Sequence, residues 1–586
     1  MNRQSRALLF ILIVAGVLGI GYYLRTAVAP PAAPLALDEG PAAPAVRGGT
    51  LVASLRAEPR SFNRLTSRDY ATEIVAMLTQ GRLVRVNRAT EEVEPWLAES
   101  WTVSPDGLTY TLTLREGVRW SDGAPFTSDD VVFTLAAVDD PRNASVLATS
   151  MRIDGAPLAV TAPDPRTVVV TFPTPFGPGI RLLDNLTIAP RHLLGDAAAA
   201  GTLAEAWTAS TPPGEMAGLG PFMLVRYEPG QRLVFDRNPR YWRTDGRGEA
   251  LPYLDRLVLD IVPDQNAELL RLESGQIDMV QQHLRPEDLS AARTLATAGR
   301  LRLLELGVGL DPDAFFFNLR PAKWASDPRA AWMPRAEFRH AISHAVDREA
   351  FANTVFLGAA VPVHGPITPG NKTWFSPNVP RYGYDQARAR ALLEGLGLTL
   401  NAATGFAEDA AGTRARFSVL TYSGNTQLMR GAEVLREDLR AIGVEMDIVP
   451  LEPNALIQRM LSGDFDAIYF NYFATDTDPA MSKDFWLSSG SAHVWHIGQA
   501  TPATDWERTI DDLMTRQAAS LDHEERVRLF NDVQRIFAEQ LPVIYFAAPR
   551  LFIGVSSRVT HYTAGPIRPQ LLWSPDSLAV APAATP

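Results

Sequence analysis

The chain has 586 residues, of which 46% are hydrophobic and 21% charged, with a formal net charge of −11. That length exceeds what one hydrophobic core organises and divides into two or three domains; an acidic body with no long basic run argues against a nucleic-acid partner. There is no cysteine, which excludes disulfides, thiol nucleophiles, thiolate metal sites, iron–sulfur clusters and a lipid-modified cysteine behind an export signal.

The N-terminus carries Arg3 and Arg6 ahead of an almost wholly apolar run, Ala7 to Leu24. This run is longer than the ~7–15 residue core of a signal peptide and just reaches the ~18–20 residues that span a bilayer. Ala27-Val28-Ala29 has the small-x-small form of a cleavage site, but Pro30 behind it disfavours cutting. Residues 1–29 therefore have two open fates, a removed signal peptide or a retained membrane anchor. Both place the rest of the chain outside the cytoplasm. A Pro/Ala spacer follows over residues 30–46.

From Gly48 the pattern is rich in strands. Leu108–Leu114 alternates strictly, with Leu108, Tyr110, Leu112 and Leu114 on one face and threonines on the other. Ser128 reads as the N-cap of a helix with Asp129 and Asp130 in its first turn. Strands are expected at Thr167–Phe172 and Arg232–Asp236. The rhythm then changes to strand Arg416–Tyr422, helix Asn425–Ile442, strand Val444–Val449, helix Asn454–Leu461 and strand Asp466–Phe473. The first of these helices carries Leu428, Ala432, Leu435, Leu439 and Ile442 on one stripe and stops at Gly443. Such alternation predicts a mostly parallel sheet covered by helices, with ligands at the carboxyl ends of its strands. Asp522 and Glu525 form a capping-box pattern ahead of a helix that runs into Pro542 and the strand Val543–Ala547. Residues 576–586 read as a frayed tail.

A series of landmarks then falls in a familiar order: Gly48-Gly49-Thr50-Leu51, Glu94 to Trp101 (EPWLAESW), Leu114 to Thr127 (LREGVRWSDGAPFT), Gly220-Pro221-Phe222, Arg237 to Trp242 (RNPRYW), Ser274 to Asp278 (SGQID), Phe338 to Ser343 (FRHAIS) with Asp347-Arg348, and Asp478-Pro479. In these the chain, from about Gly48 to Trp573, resembles the peptide/nickel-type extracytoplasmic solute-binding proteins of ABC transporters. The resemblance implies an α/β, two-lobed periplasmic-binding-protein type II fold with an extra domain inserted in the first lobe. It apportions residues 47–82, 216–310 and 545–575 to lobe I, 83–215 to the inserted domain and 311–544 to lobe II. It also implies a monomer that captures a peptide or peptide-like solute by hinge closure and delivers it to permease subunits in the membrane. Alternatives on the same fold are a membrane-anchored sensor or receptor, and a binder of sugar, metal chelate or haem.

The family's peptide binders carry an Asp four residues before the Pro of a second-lobe loop, where a carboxylate can pair with a peptide's ammonium. Here that position is Thr475, with Asp476 and Asp478 beside it. The competing reading makes both acids turn-formers that cap a helix after Pro479. By the same resemblance Tyr472 stands where a Trp lines the family's cavity, and Ser67, Asp69 and Tyr70 align with a first-lobe segment that faces ligand. Trp495 and Trp486 are further wall candidates, with core packing as the alternative. Nine histidines occur, none in an H-E-x-x-H pattern, so neither metal nor cofactor is expected. With no nucleophile elbow, P-loop or dinucleotide fingerprint, the sequence reads as a binding protein and not an enzyme.

Overall fold

The alternating Thr-Tyr-Thr-Leu-Thr-Leu run does form a strand, with Tyr110, Leu112 and Leu114 buried and the threonines half-buried. It sits in a computed structural model that describes residues 45–471 and 476–581. The N-terminal apolar run, most of the Pro/Ala spacer, Tyr472 to Thr475 and residues 582–586 lie outside the described residues. The frayed tail expected from residue 576 needs correction, because Asp576 and Leu578 are buried and Ala579–Val580 pairs antiparallel with Val559–Thr560.

Chain order begins with β1 (Thr50–Leu55) and leads into an antiparallel group, β2 (Ala98–Val103), β3 (Thr109–Leu114), β4 (Ala159–Asp164) and β5 (Thr167–Thr171), ordered β2-β3-β5-β4. The chain then returns to β1 with β6 (Phe222–Glu228), β7 (Arg232–Arg237) and β8 (Arg256–Ile261), giving the order β1-β8-β7-β6 with β1 and β8 parallel. The antiparallel sheet is thus an insertion between two parts of the first lobe.

The second lobe is built on β10 (Asp313–Phe317), β11 (Ala360–Pro362), β12 (Arg416–Tyr422), β13 (Glu445–Leu451) and β14 (Ala467–Asn471), reached through β9 (Arg302–Val308) and closed by β15 (Val543–Val555). The sheet order is β9-β15-β10-β14-β12-β13, with β11 also on β15. The expectation of a mostly parallel sheet needs correction, because this sheet is mixed. β12 runs parallel to β13 and β14, as strand–helix–strand connections require. β10, however, is antiparallel to both β14 and β15, which reach it from distant parts of the chain. β15 is longer than the pattern indicated. Its residues up to Ala547 pair with β10, and those from Arg550 onward pair with β9.

The helices start where small polar side chains meet backbone N–H groups. Asp69 caps α1 (Tyr70–Thr79), accepting from the Thr72 N–H at 2.9 Å. Thr127, not Ser128, caps α2 (Ser128–Asp139), with Asp130 completing the box. The Ser128 hydroxyl is committed elsewhere, donating to the Asp164 carbonyl at 2.6 Å. Asn425 caps α3 (Thr426–Arg440), which ends ahead of Gly443, where φ is +86°. α4 (Pro453–Ser462) links β13 to β14. α5 (Asp505–Ala519) opens on a capping box of Thr504 and Glu507. Before α6 (His523–Gln540), Asp522 caps without a reciprocal box, because the Glu525 carboxylate accepts from Ser520 at 2.8 Å.

Two hydrophobic clusters sandwich the mixed sheet. Along β10, Phe315 and Phe317 join the cluster under α3, while Ala314 and Phe316 join the one under α6. That alternation is the period of two that a strand buried on both faces imposes. The first lobe and its insertion share a separate cluster that includes Leu51, Tyr110 and Leu257.

Beside the second-lobe core lies a buried polar network. The Glu507 carboxylate accepts from Ala503 N–H (3.1 Å), Thr504 N–H (3.0 Å), Thr504 Oγ1 (2.8 Å) and Gln499 Nε2 (3.1 Å), with His493 Nε2 at 3.3 Å. Burial pushes its pKa up, but these bonds outweigh burial and bring it to about 2. Because the folded value lies below the unfolded one, the stabilisation is full above pH ~4.5 and lost as pH falls toward 2. We expect Glu507→Gln to cost about 2 kcal/mol at pH 7, with the gap narrowing at pH 3. Thermal midpoints at the two pH values test this, and an undiminished gap at pH 3 would contradict it.

Candidate functional site

The carboxyl ends of β12 and β14 meet the beginning of β10, where Asp313 stands opposite Asn471 in the ladder. A cleft opens there between the lobes. Asp313, Gln427, Asn471 and Phe356 line it from the second lobe, and His283, Leu284, Arg568 and Gln570 from the first; Gly309 to Asp311 and Pro549 to Leu551 form its floor, where the chain passes between lobes. The void measures about 880 Å³ with its open mouth included. This is the edge at which open α/β sheets present ligand-binding loops.

Asp313 is the acid of this wall, and it was not among the residues singled out from sequence. Its signal was there, an acid heading the run Ala314-Phe315-Phe316-Phe317 in a strand whose residues are all buried. The Tyr469 hydroxyl donates to its Oδ2 at 2.6 Å, and Gln427 Nε2 donates to both oxygens at 3.2 and 3.0 Å. Burial pushes the carboxyl up to about 6, against the downward pull of these two bonds. Gly431, one turn beyond Gln427 on α3, admits the Tyr469 ring, since a Cβ there would overlap the hydroxyl.

The two acids that sequence placed beside Thr475 are both engaged by arginine. Arg181, from the short helix Gly179–Leu182 of the insertion, donates through Nε to Asp476 at 2.7 Å, through Nη2 to the Thr477 hydroxyl at 2.8 Å and through Nη1 to the Glu91 carbonyl at 2.7 Å. The pair is buried, with side-chain exposures of 9% and 7%. Burial lowers the Arg181 pKa, but Asp476 more than compensates and raises it. Asp478 accepts from both terminal nitrogens of Arg526, at 2.9 and 2.6 Å, and also from the Ala480 N–H at 3.0 Å. It thereby caps the turn Pro479–Ser482, which is the turn-forming role weighed in the sequence reading.

The other expected residues separate by environment. The Asp69 carboxylate is occupied by Ser67, which donates at 2.7 Å, and by the backbone and hydroxyl of Thr72. Gln281 Nε2 donates to the Tyr70 hydroxyl at 2.5 Å, and burial lifts that phenol to about 12. Trp495 is 1% exposed in the core against Phe485 and Phe537. Trp486 belongs to the same core but also lines a smaller void with Asp476 and Asp478.

Contacts across the cleft hold the lobes together. Besides Arg181–Asp476, Lys483 pairs with Asp154 at 3.1 Å and Arg430 with Glu287 at 2.8 Å. The Gly177 N–H donates to the Ala518 carbonyl at 2.6 Å, and the Lys372 N–H to Glu91 at 3.3 Å. Two walls from different lobes, tied together around a void of mixed polar and apolar lining, describe a closing receptor for a small solute.

Comparison with known proteins agrees. The profile of the bacterial extracellular solute-binding proteins, family 5 (middle), matches residues 92–493, and the chain belongs to that family. A "Probable ABC transporter-binding protein" of Deinococcus radiodurans is 26% identical over 534 residues, covering 87% of this chain and 89% of the relative. The "Dipeptide-binding protein" of Escherichia coli is 26% identical over 544 residues, covering 90% and 94%. Among solved structures, the ABC transporter substrate-binding protein CtaP of Listeria monocytogenes superposes with a TM-score of 0.74 at 23% identity, covering 91% of this chain and 99% of that one.

Because the Arg181–Asp476 pair joins the insertion to the second lobe, opening the cleft lets water reach both partners. Removing one partner should therefore favour the open form by about 2 kcal/mol or more. Asp476→Asn and Arg181→Met should each enlarge the radius of gyration in small-angle X-ray scattering, and to the same extent. Opening in one variant but not the other would mean that this pair is not the tie.

Proposed function

We propose that the chain is the extracytoplasmic substrate-binding component of an ABC transporter, capturing a peptide or peptide-like small solute between its lobes and delivering it to the permease. The observation that carries this reading is the cleft, whose walls come from both lobes and whose rims are joined by ion pairs made when the lobes meet. The amide side chains of Gln427, Asn471 and Gln570 suit the alternating donors and acceptors of a peptide backbone. Two adjoining voids, of about 590 and 1460 Å³ with their mouths included, share Asp476 with the first and offer room for an elongated ligand. The E. coli relative named for dipeptide binding supports the same choice of solute.

In this reading the lobes divide as 47–82, 216–310 and the chain from about 550 to 575 against 311 to about 547, with 83–215 inserted; the boundary expected at 545 moves because β15 leaves β10 only at Ala547. Solute binding, not catalysis, is the activity, carried out by a monomer. The protein works in the periplasm or an equivalent space, tethered there if residues 1–29 are retained. Asp476 contributes to the wall.

The test is native mass spectrometry of protein purified from its own host's cell envelope, followed by denaturing release of whatever is bound. Short peptides of varied sequence are expected. One recurring non-peptide compound would overturn the peptide reading while leaving the family assignment in place. The intact mass from the same preparation reports whether residues 1–29 remain.

A further inference from the structure

The charges around the cleft are matched one against another, apart from Asp313. Arg568 donates to Asp311 at 2.7 Å, Arg550 to Glu305 at 3.1 Å and Arg181 to Asp476 at 2.7 Å. His283, in the opposite wall, is kept neutral by burial and by Arg568 and Arg56, which hold its pKa at about 3. Arg430, on the same helix as Gln427, is committed to Glu287 and to the Val355 carbonyl. Asp313 is left with two neutral donors, Tyr469 and Gln427, and pairs with no cation among the described residues. The undescribed run Tyr472-Phe473-Ala474-Thr475 carries no cationic side chain.

A second irregularity lies across the void. Gln570 lines the first-lobe wall and is 1% exposed, yet its Oε1 has no hydrogen-bond donor among the described residues. A buried acceptor without a donor and a buried carboxylate without a cation are each unfavourable. Both residues line the one cleft, from different lobes, so a donor entering it is a remedy available to each.

We propose that Asp313 and Gln570 form a receptor for a protonated nitrogen, an ammonium or guanidinium group carried by the captured solute. This rests on the reading of the cleft as the solute site and names the group the solute presents there. Tyr469 and Gln427 hold the carboxylate in place without neutralising it, so the ligand's cation supplies the missing charge and donates to both acceptors. Since one acceptor belongs to each lobe, the group is fully satisfied only when the cleft is closed, which couples recognition to closure. The elevated pKa of Asp313 adds a pH dependence: below about pH 6 the empty site is protonated and binding weakens.

The experiment compares wild type with Asp313→Asn, which keeps the volume and an acceptor for Tyr469, and with Gln570→Ala. All three are purified from the native envelope, and their bound compounds are released and identified. Binding is then measured by thermal shift with a mixed tripeptide library, the same library N-acetylated, arginine and putrescine. Solutes bearing a basic nitrogen should leave wild type, and Asp313→Asn should be recovered empty with an unfolding midpoint at pH 7 equal to or above that of wild type stripped of solute. Binding of the responding probe should weaken about 100-fold in Asp313→Asn and about 10-fold in Gln570→Ala, and the loss below pH 6 should vanish in Asp313→Asn. Bound solutes without a basic nitrogen, undiminished binding in Asp313→Asn, or no cationic compound bound from either source would each overturn the proposal. Peptides held equally by wild type and Asp313→Asn would refute it and leave the peptide reading standing. A non-peptide amine lost from Asp313→Asn would do the reverse.

Discussion

One strand belongs to both lobes. β15 spends its first residues beside β10 and its last beside β9, so the hydrogen bonds that complete the second lobe and those that complete the first run along a single extended backbone. A strand paired along its length resists stretching and lateral slip, but it tolerates twist where its partner changes. The crossover at Ala548 and Pro549, where β11 still pairs with the strand while β9 takes over from β10, is thus the pivot that the strand offers between the lobes. Every other feature of the site follows from this. The cleft floor is the place where the chain passes over, and the walls are whatever each lobe presents at that edge.

Given that pivot, closure is decided by chemistry at the rims. Arg181–Asp476, Lys483–Asp154 and Arg430–Glu287 connect residues of the first lobe and its insertion to the second. The first is buried on both sides, and the low dielectric there makes it stronger than an exposed pair and more dependent on geometry. The apolar face of the sheet contributes differently. Gly431 lets α3 lie close enough for Tyr469 to sit against it, and that packing fixes the hydroxyl under Asp313. Packing of the core thereby sets the position of a polar group at the binding edge.

How much of this was legible in the sequence depended on whether the information was local. The strand holding Tyr110 and Leu112, the stripe of Leu428, Leu435 and Leu439 and the stop at Gly443 are written in spacing alone, and the structure follows them. The cap of α2 moved from Ser128 to Thr127 because a carbonyl 36 residues away claimed the serine hydroxyl. The sheet proved mixed because β10 and β15 find their partners by tertiary packing, which no local period records. The same limit governed the site. The landmark motifs pointed to the family, which the profile match then showed, and to the loop around Asp476, but its partner Arg181 lies 295 residues away in sequence. The isolation of Asp313 is likewise a property of the surrounding wall and not of its neighbours in the chain.

Four of the five contacts described across the cleft, those made by Arg181, Asp154, Gly177 and Glu91, come from the insertion and not from the sheet that carries the first wall of the cleft. Opening the cleft has to break these ties, so substitutions at them act on the rate of release, where most variation in affinity among related complexes lies. The same insertion also lines the largest of the voids beside the cleft, so one unit of the molecule bears on both how long a solute stays and what room it finds.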